Sequence, residues 1–353
     1  MSAARSEVRA IPFTDHLVVD RGAEAPLLLL DAAGRAAWEA LDAGVPAAEA
    51  GATEAVLAAR VPVVPVPVAP RPRPRRVWRP VVRTYAFTGA PVAIDCADHE
   101  LADLMHPRLA HAETAAPAAA RLRLRRAGTG FALLEAGRAP EHHSRAEALV
   151  GAVVRRLVEL GHGSGDWSAV LHAAAVADGA GAAIVLAGAC GRGKSTLTAA
   201  LVGAGAVYFS DDCVPLDAYG RAVAVPFGLC LKQSGWAVGE AVLPVSASAP
   251  VFHCAERGPC RYVPSSDVAT RPLPLSAFVF PGYVPGAGLT LEPMRPEETL
   301  AALVAGRAWL SRDADGLATA LGVIERTPGW RLEYGDTADA LAAIAGLGAV
   351  GAP

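Results

Sequence analysis

A glycine-rich segment in the middle of the chain constrains the fold more than any other feature. Residues 188–196 read Gly-Ala-Cys-Gly-Arg-Gly-Lys-Ser-Thr, which has the spacing G-x-x-x-x-G-K-S. The apolar run 182–187 before it predicts a buried strand, and the apolar residues from Thr196 to Val202 predict a helix. A strand, a loop and a helix in this order are the context in which this spacing binds phosphate. We therefore expect an α/β core built around the segment.

The residue types in this segment suit a triphosphate bound with Mg²⁺. Glycines allow the backbone to turn so that successive N–H groups point at one anion, and the helix that follows adds the positive end of its dipole. The Lys194 ammonium can bridge the β- and γ-phosphates, and the Ser195 hydroxyl can bind the metal. The predicted cofactors are ATP and Mg²⁺. The predicted nucleotide-binding residues are Gly188, Ala189, Cys190, Gly191, Arg192, Gly193, Lys194, Ser195 and Thr196.

Lysine is so scarce in this chain that its positions carry information. The 32 basic residues comprise 30 arginines and only two lysines, Lys194 and Lys232. Either cation can supply an exposed positive charge, so a retained lysine indicates a place that needs a compact ammonium. The alternative is that a lysine is retained by chance.

A pair of carboxylates follows the predicted helix. The apolar run 206–210 predicts a strand, and Asp211 and Asp212 stand at its C-terminal end. Carboxylates at this point, beside a phosphate-binding loop, lie where Mg²⁺ and the reacting oxygen meet. Neighbouring side chains on an extended segment point to opposite faces, so the two can have different roles. The alternative is a solvated turn after the strand.

Residues 172–217 resemble a known family of kinases. Their sequence is HAAAVADGAGAAIVLAGACGRGKSTLTAALVGAGAVYFSDDCVPLD, which is similar to the C-terminal domain of HPr kinase/phosphorylase and its related kinases. The later segments AFVFPGYVPGAGLTLEPM and WRLEYGD resemble the related-kinase branch, so the likeness extends over about residues 82–345. It implies the fold shared with phosphoenolpyruvate carboxykinase, a phosphate-binding loop on a mostly β core.

The same resemblance implies roles for individual residues. His172 would lie near the phosphates, Asp211 would be the general base toward a serine hydroxyl, and Asp212 would be associated with the metal. Lys232, in the segment Cys-Leu-Lys, matches a lysine of the related branch and would contact phosphate. The predicted catalytic residues are therefore Asp211, His172, Lys194 and Lys232, and the predicted metal ligands are Ser195 and Asp212. A histidine satisfied within the core is the alternative for His172.

Two features depart from the family. The chain has no counterpart of the EIRGLGI signature of true HPr kinases, which argues against HPr as the substrate and against the reverse phosphorolysis. Gly282 stands in Phe-Pro-Gly-Tyr where relatives often carry arginine, which removes one anion contact.

The N-terminal residues form a separate predicted unit. Residues 62–80 contain seven prolines and five arginines and predict an extended linker. Before it, two predicted strands are followed by a helix that begins after Asp31 and by a second helix at 47–59. The segment HLVVDRGAEAPLLLLDAAGRAAWEAL resembles the PqqD-like family, whose winged-helix surface captures leader peptides. This implies a leader-peptide site within residues 8–61; a docking or packing module of other origin is the alternative.

The predicted organisation has four parts. They are a PqqD-like α+β module at 1–61, the linker at 62–80, a supporting α/β subdomain at 81–165 and an HPr kinase-like catalytic domain at 166–353. The subdomain shows no convergent polar set, so we expect it only to support the core. Residues 251–271 are polar and long for a connection, and we expect them to form a loop that shapes the acceptor site.

Composition excludes several classes of protein. An apolar fraction of 52% excludes a disordered chain, and a net charge of −3 argues against a nucleic-acid partner. No apolar run is long enough for a membrane span and no signal peptide is evident, so we predict a cytoplasmic protein with no membrane partner. The six cysteines form no CxxC pair and predict buried thiols. The spacing of His253, Cys254 and Cys260 fits no standard zinc site.

Three functions remain open on the sequence alone. The leading hypothesis is an ATP-dependent kinase that phosphorylates a serine or other hydroxyl on a ribosomally made peptide, which the N-terminal module holds. The alternatives are a kinase of a free small molecule (an amino acid, sugar or antibiotic) and a nucleotide-binding regulator without turnover. The paired carboxylates argue against the regulator, which would need no base. A homo-oligomer is compatible with each of them.

Overall fold

The structure is a computed structural model that describes residues 8–20, 27–60, 80–86, 90–162, 167–189, 191–254, 258–265 and 267–350. Over these residues the chain is a mixed α/β protein with several sheets, which confirms the predicted α/β class. No helix within these ranges is long and apolar enough to cross a membrane.

The N-terminal module is a small sheet with two helices. Its elements are β1 (Arg9–Phe13), β2 (His16–Asp20), β3 (Leu28–Leu30), α1 (Ala32–Asp42) and α2 (Glu54–Ala59). The strands are antiparallel in the order β1-β2-β3. Asp31 caps α1 as predicted, by accepting the N–H of Gly34 at 2.8 Å. The predicted helix at 47–59 is too long, because turns extend to Gly51, where the backbone has a φ of +65°.

The module is docked on the rest of the chain. Phe13 and Val18 belong to the same apolar cluster as Leu310 and Leu317, far along the sequence. Arg312 forms an ion pair with Asp20, whose side chain is only 7% exposed. The backbone carbonyl of Arg312 accepts a hydrogen bond from the Arg9 guanidinium. Direct contacts therefore hold the module in place, while the predicted linker lies outside the described residues except for Pro80.

The subdomain is a five-stranded sheet covered by helices on one face. Its elements are β4 (Val81–Tyr85), β5 (Val92–Cys96), α3 (His99–Leu109), β6 (Ala120–Ala127), β7 (Gly130–Glu135), β8 (Glu141–His143) and α4 (Ala146–His162). The sequence predicts a short helix from Leu101 to His106 that Pro107 stops, which is wrong, because α3 continues to Leu109 with the proline inside its last turn. The lost N–H bond is offset because Met105 and Leu109 on either side are buried in the subdomain core.

The C-terminal region begins with the elements that surround the glycine-rich segment. They are β9 (Ala169–Leu171), β10 (Ala174–Ala177), β11 (Ala183–Leu186), α5 (Lys194–Gly203), β12 (Val207–Ser210), β13 (Val214–Leu216), β14 (Leu229–Lys232), α6 (Trp236–Val242), β15 (Val251–Cys254) and β16 (Gly258–Val263). It continues through β17 (Leu275–Tyr283), β18 (Thr290–Met294), α7 (Pro296–Ala305), β19 (Trp309–Leu310), α8 (Ala314–Arg326), β20 (Gly329–Tyr334) and α9 (Thr337–Val350).

The central sheet of this region has the described strand order β12-β10-β11-β17-β20-β18, and both of its faces are covered. Side chains alternate along each strand, so Ile184 packs with Leu197 of α5 and Ile344 of α9. Val185, next to Ile184, packs on the opposite side with Leu321 of α8. Because β10 is antiparallel to both β11 and β12, the C-terminal ends of β11 and β12 lie at the same edge of the sheet.

Several local predictions in this region are corrected. The mainly apolar residues 169–176 predict one continuous strand, but the chain bends at His172 and Ala173, and the two halves join different sheets. The predicted loop at 251–271 is wrong over β15 and β16, which form a hairpin that pairs with β14. The apolar residues 222–225 predict a further strand, but they make only isolated β-bridges, at Ala222. Helix α8 was not predicted, although Leu317, Leu321 and Ile324 have helical spacing and are buried.

The turn at Gly220 gives a test of how tightly α8 packs. Gly220 has a φ of +74°, and an added Cβ would lie 2.1 Å from Cγ2 of Val323. Gly181 has a similar φ of +84° but no atom within 4 Å of such a Cβ. We expect Gly181→Ala to lower the free energy of unfolding by about 1–2 kcal/mol through backbone strain alone. Gly220→Ala should lose a further ~1–3 kcal/mol through overpacking, measured by urea unfolding. Equal losses of stability in the two variants would mean that Val323 of α8 can shift to accommodate the added methyl group at little energetic cost.

Candidate functional site

The glycine-rich loop leaves β11 at Gly188 and enters α5 at Lys194. Gly188, Gly191 and Gly193 have φ values of +121°, +85° and +93°, in the region that residues with side chains rarely adopt. Gly193 is doubly constrained, because a Cβ there would meet the Tyr334 hydroxyl at 2.9 Å. The predicted strand, loop and helix are therefore present. Cys190 lies outside the described residues.

The loop opens onto the N-terminus of α5. The first-turn N–H groups of a helix have no carbonyl partner within that helix, and its dipole is positive at this end. The Lys194 ammonium extends back across the loop and donates to the carbonyls of Gly188 at 2.6 Å and Ala189 at 3.1 Å. The loop, the helix end and the ammonium thus bring donors and positive charge together at one place, as an anion site requires.

Asp211 lies beside this loop and is buried, with only 5% of its surface exposed. Its Oδ2 atom accepts hydrogen bonds from the Ser195 hydroxyl at 3.1 Å and from the backbone N–H of Cys230 at 2.7 Å. The carboxylate therefore connects the end of β12 with the start of α5 and with β14. A carboxylate and a hydroxyl in contact form a pair of hard oxygen ligands, the kind that Mg²⁺ prefers.

Asp212 points to a different set of partners. Its carboxylate forms an ion pair with Arg108, and its Oδ1 lies 3.4 Å from Nδ1 of His172. The same histidine nitrogen lies 3.2 Å from the backbone carbonyl of Asp212. The two neighbouring carboxylates therefore diverge as predicted, one toward the loop serine and one toward His172. His172 is placed there because the chain bends between β9 and β10.

Arg108 is the residue of this site that sequence reasoning missed. It belongs to α3 of the subdomain, its side chain is 10% exposed, and its guanidinium lies 5.8 Å from the centre of the Tyr262 ring. The subdomain, expected only to support the core, therefore also contributes one polar side chain to this cluster. The chain has thirty arginines, so residue type alone does not distinguish Arg108 from the others. Its partner Asp212 is 104 residues away in the sequence.

Lys232 stands at the C-terminal end of β14, two residues after Cys230. In the antiparallel register, Cys230 pairs with Tyr262 and Lys232 pairs with Cys260. Alternation along the strands therefore places Lys232 on the same face of this ribbon as Tyr262, the ring beneath Arg108. Both lysines of the chain thus lie on elements that contact Asp211, through Ser195 on α5 and through the N–H of Cys230 on β14.

Buried hydroxyl and thiol groups around the site are structural. Tyr208 is fully buried, burial raises the pKa of its phenol well above the ordinary value, and its hydroxyl donates to the carbonyl of Phe227 at 2.6 Å. Burial likewise raises the pKa of the Cys96 and Cys213 thiols to about 12, so neither is a thiolate at neutral pH. The predicted burial of thiols is confirmed for these two and for Cys230 and Cys260.

The donor set fits Mg²⁺ better than a metal held by protein ligands alone. Within the described ranges, no group of three or more His, Cys, Asp or Glu side chains could hold a metal ion. Mg²⁺ in nucleotide sites commonly takes one or two protein ligands and completes its shell with phosphate oxygens and water. The Ser195 hydroxyl and the Asp211 carboxylate, which are in contact, have the chemistry of such a pair of ligands.

No family model matches this sequence, and the search of curated proteins finds no significant match. The resemblances to the HPr kinase-related and PqqD-like families therefore rest on the quoted residues alone.

Proposed function

We propose that this protein is an ATP-dependent kinase of the HPr kinase-related type, which transfers the γ-phosphoryl group to a serine or other hydroxyl. The contact between the Ser195 hydroxyl and the Asp211 carboxylate, at the end of a glycine-rich loop, is the observation that carries the proposal. In nucleotide-hydrolysing enzymes with such a loop, the serine or threonine after the loop lysine holds Mg²⁺ together with an aspartate from a nearby strand. Here α5 and the end of β12 supply both residues.

Each residue around the loop has a distinct task in this proposal. The loop N–H groups and the N-terminus of α5 bind the phosphates, and Lys194 exchanges its two carbonyl partners for phosphate oxygens. Lys232 adds a second ammonium from β14. When bound, Mg²⁺ neutralises phosphate charge and fixes the phosphate geometry. The protein therefore acts through positioning and charge, which is what phosphoryl transfer demands.

The contacts favour a division of the two carboxylates opposite to the one that the family resemblance implies. Asp211 shares its oxygen with the loop serine and lies deep in the protein, where a metal ligand belongs. Asp212 is more exposed, at 17%, and lies beside His172. We therefore propose Asp211 as the metal ligand and Asp212 as the carboxylate that accepts the proton of the acceptor hydroxyl.

A peptide acceptor is favoured by the docked N-terminal module. Its strand β3 lies at an edge of the module's sheet, and an edge strand can pair with an extended peptide. Because the module packs on the same apolar cluster as the central sheet, a bound peptide is held at a fixed distance from the catalytic residues. Such tethering raises the effective concentration of the hydroxyl at the site.

The peptide acceptor is best tested by changing the peptide and keeping the N-terminal module. Deletion of the module would expose the apolar cluster to which Phe13 and Val18 belong. We expect the KM of a precursor peptide to rise by about 10²-fold when its leader segment is removed, with kcat at saturation unchanged. The measurement is γ-phosphoryl transfer from Mg²⁺-ATP to the full-length and the truncated precursor. Addition of the separate leader should inhibit only the full-length reaction. Equal KM values would instead favour a free small molecule as the acceptor.

A further inference from the structure

The end of α3 is fixed against the segment that leads into β14. The carbonyl of Arg108 accepts the N–H of Gly228 at 3.1 Å, and Nε2 of His111 lies 2.6 Å from the carbonyl of Pro226. Gly228 lies close to the strand opposite, because an added Cβ would come within 3.1 Å of the Cβ of Tyr262 and would need a small shift of that residue. One backbone hydrogen bond, one side-chain contact to a backbone carbonyl and a closely packed glycine thus fix the end of α3 beside the site.

The guanidinium of Arg108 uses little of its bonding capacity. Among the described residues, its contacts are one hydrogen bond from Nη1 to Asp212 and the face of the Tyr262 ring. An arginine carries five N–H donors in one plane, so several donors remain for another acceptor. Nine-tenths of the side chain is buried, but no guanidinium nitrogen of Arg108 is both buried and without a partner, so the remaining donors reach solvent and are open to a ligand. An anion at this site would satisfy those donors.

We infer that Arg108 donates hydrogen bonds to the oxygens of the transferred phosphoryl group, while Asp212 holds its guanidinium plane in place. This rests on the proposed kinase function. In that reaction the acceptor oxygen bonds to the γ-phosphorus, the bond to the β,γ-bridging oxygen breaks, and ADP leaves with that electron pair. The hydroxyl proton passes to Asp212. The charge spread over the three γ-oxygens then lies between Lys194 on the loop side and Arg108 on the Asp212 side.

The subdomain therefore completes the catalytic site. An arginine that contacts the transferred group typically contributes about 10³-fold or more to kcat. We expect Arg108→Ala to lower kcat by that order and to leave the affinity for ADP unchanged. Arg108→Lys keeps the charge and loses the planar set of donors, so it should recover only a small part of the rate. Guanidinium ion added to Arg108→Ala should restore part of the lost rate.

Aluminium fluoride distinguishes contact with the phosphoryl group from a purely structural role. With Mg²⁺-ADP it mimics the group in transfer, so wild-type protein should bind ADP more tightly when aluminium fluoride is present. In Arg108→Ala, aluminium fluoride should no longer tighten the binding of ADP. The affinity for ADP measured without aluminium fluoride should stay at the wild-type value. Arg156→Lys is the matched control, because Arg156 is a buried arginine of the same subdomain that pairs with Glu135 at 2.6 Å. The Arg156→Lys variant should have a lower melting temperature. Its kcat and the tightening of its ADP binding by aluminium fluoride should be unchanged.

The outcomes separate this inference from the function on which it rests. Absence of both ADP binding and ATP turnover in the wild type would contradict the kinase proposal and this inference together. A wild type that turns over ATP, with an Arg108→Ala variant of equal kcat, would overturn the inference and leave the kinase standing. A lower kcat with the aluminium fluoride gain intact would also overturn it, because Arg108 would then act only by positioning Asp212.

Discussion

Replacement of Lys194 by alanine is expected to lower kcat by about 10³-fold and to weaken ATP binding, because a preorganised charge at the phosphates is lost. The Lys194 ammonium already lies across the glycine-rich loop, 2.6 Å from the carbonyl of Gly188. Isothermal titration with ATP and a γ-phosphoryl transfer assay measure the two effects separately.

Lys194→Arg is the more informative variant. Because 30 of the 32 basic residues are arginine, this chain uses arginine wherever the shape of the cation is unimportant. The ammonium fits between two loop carbonyls, at 2.6 Å and 3.1 Å, where a planar guanidinium is too wide. We expect the arginine variant to fold with the wild-type melting temperature and to be nearly as inactive as the alanine variant. Activity close to the wild type would show that the scarcity of lysine carries no functional information.

Sequence reasoning succeeded where the determining residues are close together in the chain. The glycine-rich loop, its strand and its helix occupy 183–203, and each is specified by local composition and by the need for positive φ at glycines. The carboxylates of Asp211 and Asp212 diverge as expected, although the two residues lie in a bend directly after β12 and not on an extended segment. These features needed no knowledge of how distant segments pack.

It failed where a contact joins segments that are far apart. Arg108 meets Asp212 across 104 residues, and the N–H of Cys230 that binds Asp211 is a backbone group with no signature of residue type. The packing of Phe13 and Val18 on the central core could not be predicted from the sequence either, because each looks like an ordinary apolar residue of its own strand. The polar segment that forms β15 and β16 was misjudged because β14 supplies its pairing partner. Tertiary pairing overrode local composition there.

The two carboxylates should respond differently to removal of their charge. Asparagine keeps the volume of each side chain and can still accept one hydrogen bond, so both variants should fold. Asp211→Asn removes the proposed charged metal ligand beside Ser195, so we expect the Mg²⁺ concentration for half-maximal rate to rise, with partial rescue by excess Mg²⁺. Asp212→Asn removes the proposed proton acceptor, so kcat should fall by about 10²–10⁴ with ATP affinity nearly unchanged.

Asp178→Asn provides the control for this comparison, because Asp178 also follows a strand and only supports a turn, accepting the N–H groups of Ala180 and Ala182. It should change neither kcat nor the Mg²⁺ requirement. The measurement is kcat as a function of Mg²⁺ for the three variants, beside direct ATP titrations. A Mg²⁺ defect in Asp212→Asn and a pure kcat defect in Asp211→Asn would restore the division implied by the family resemblance. If both variants behave like Asp178→Asn, the paired carboxylates only form a turn and the proposed kinase has no proton acceptor.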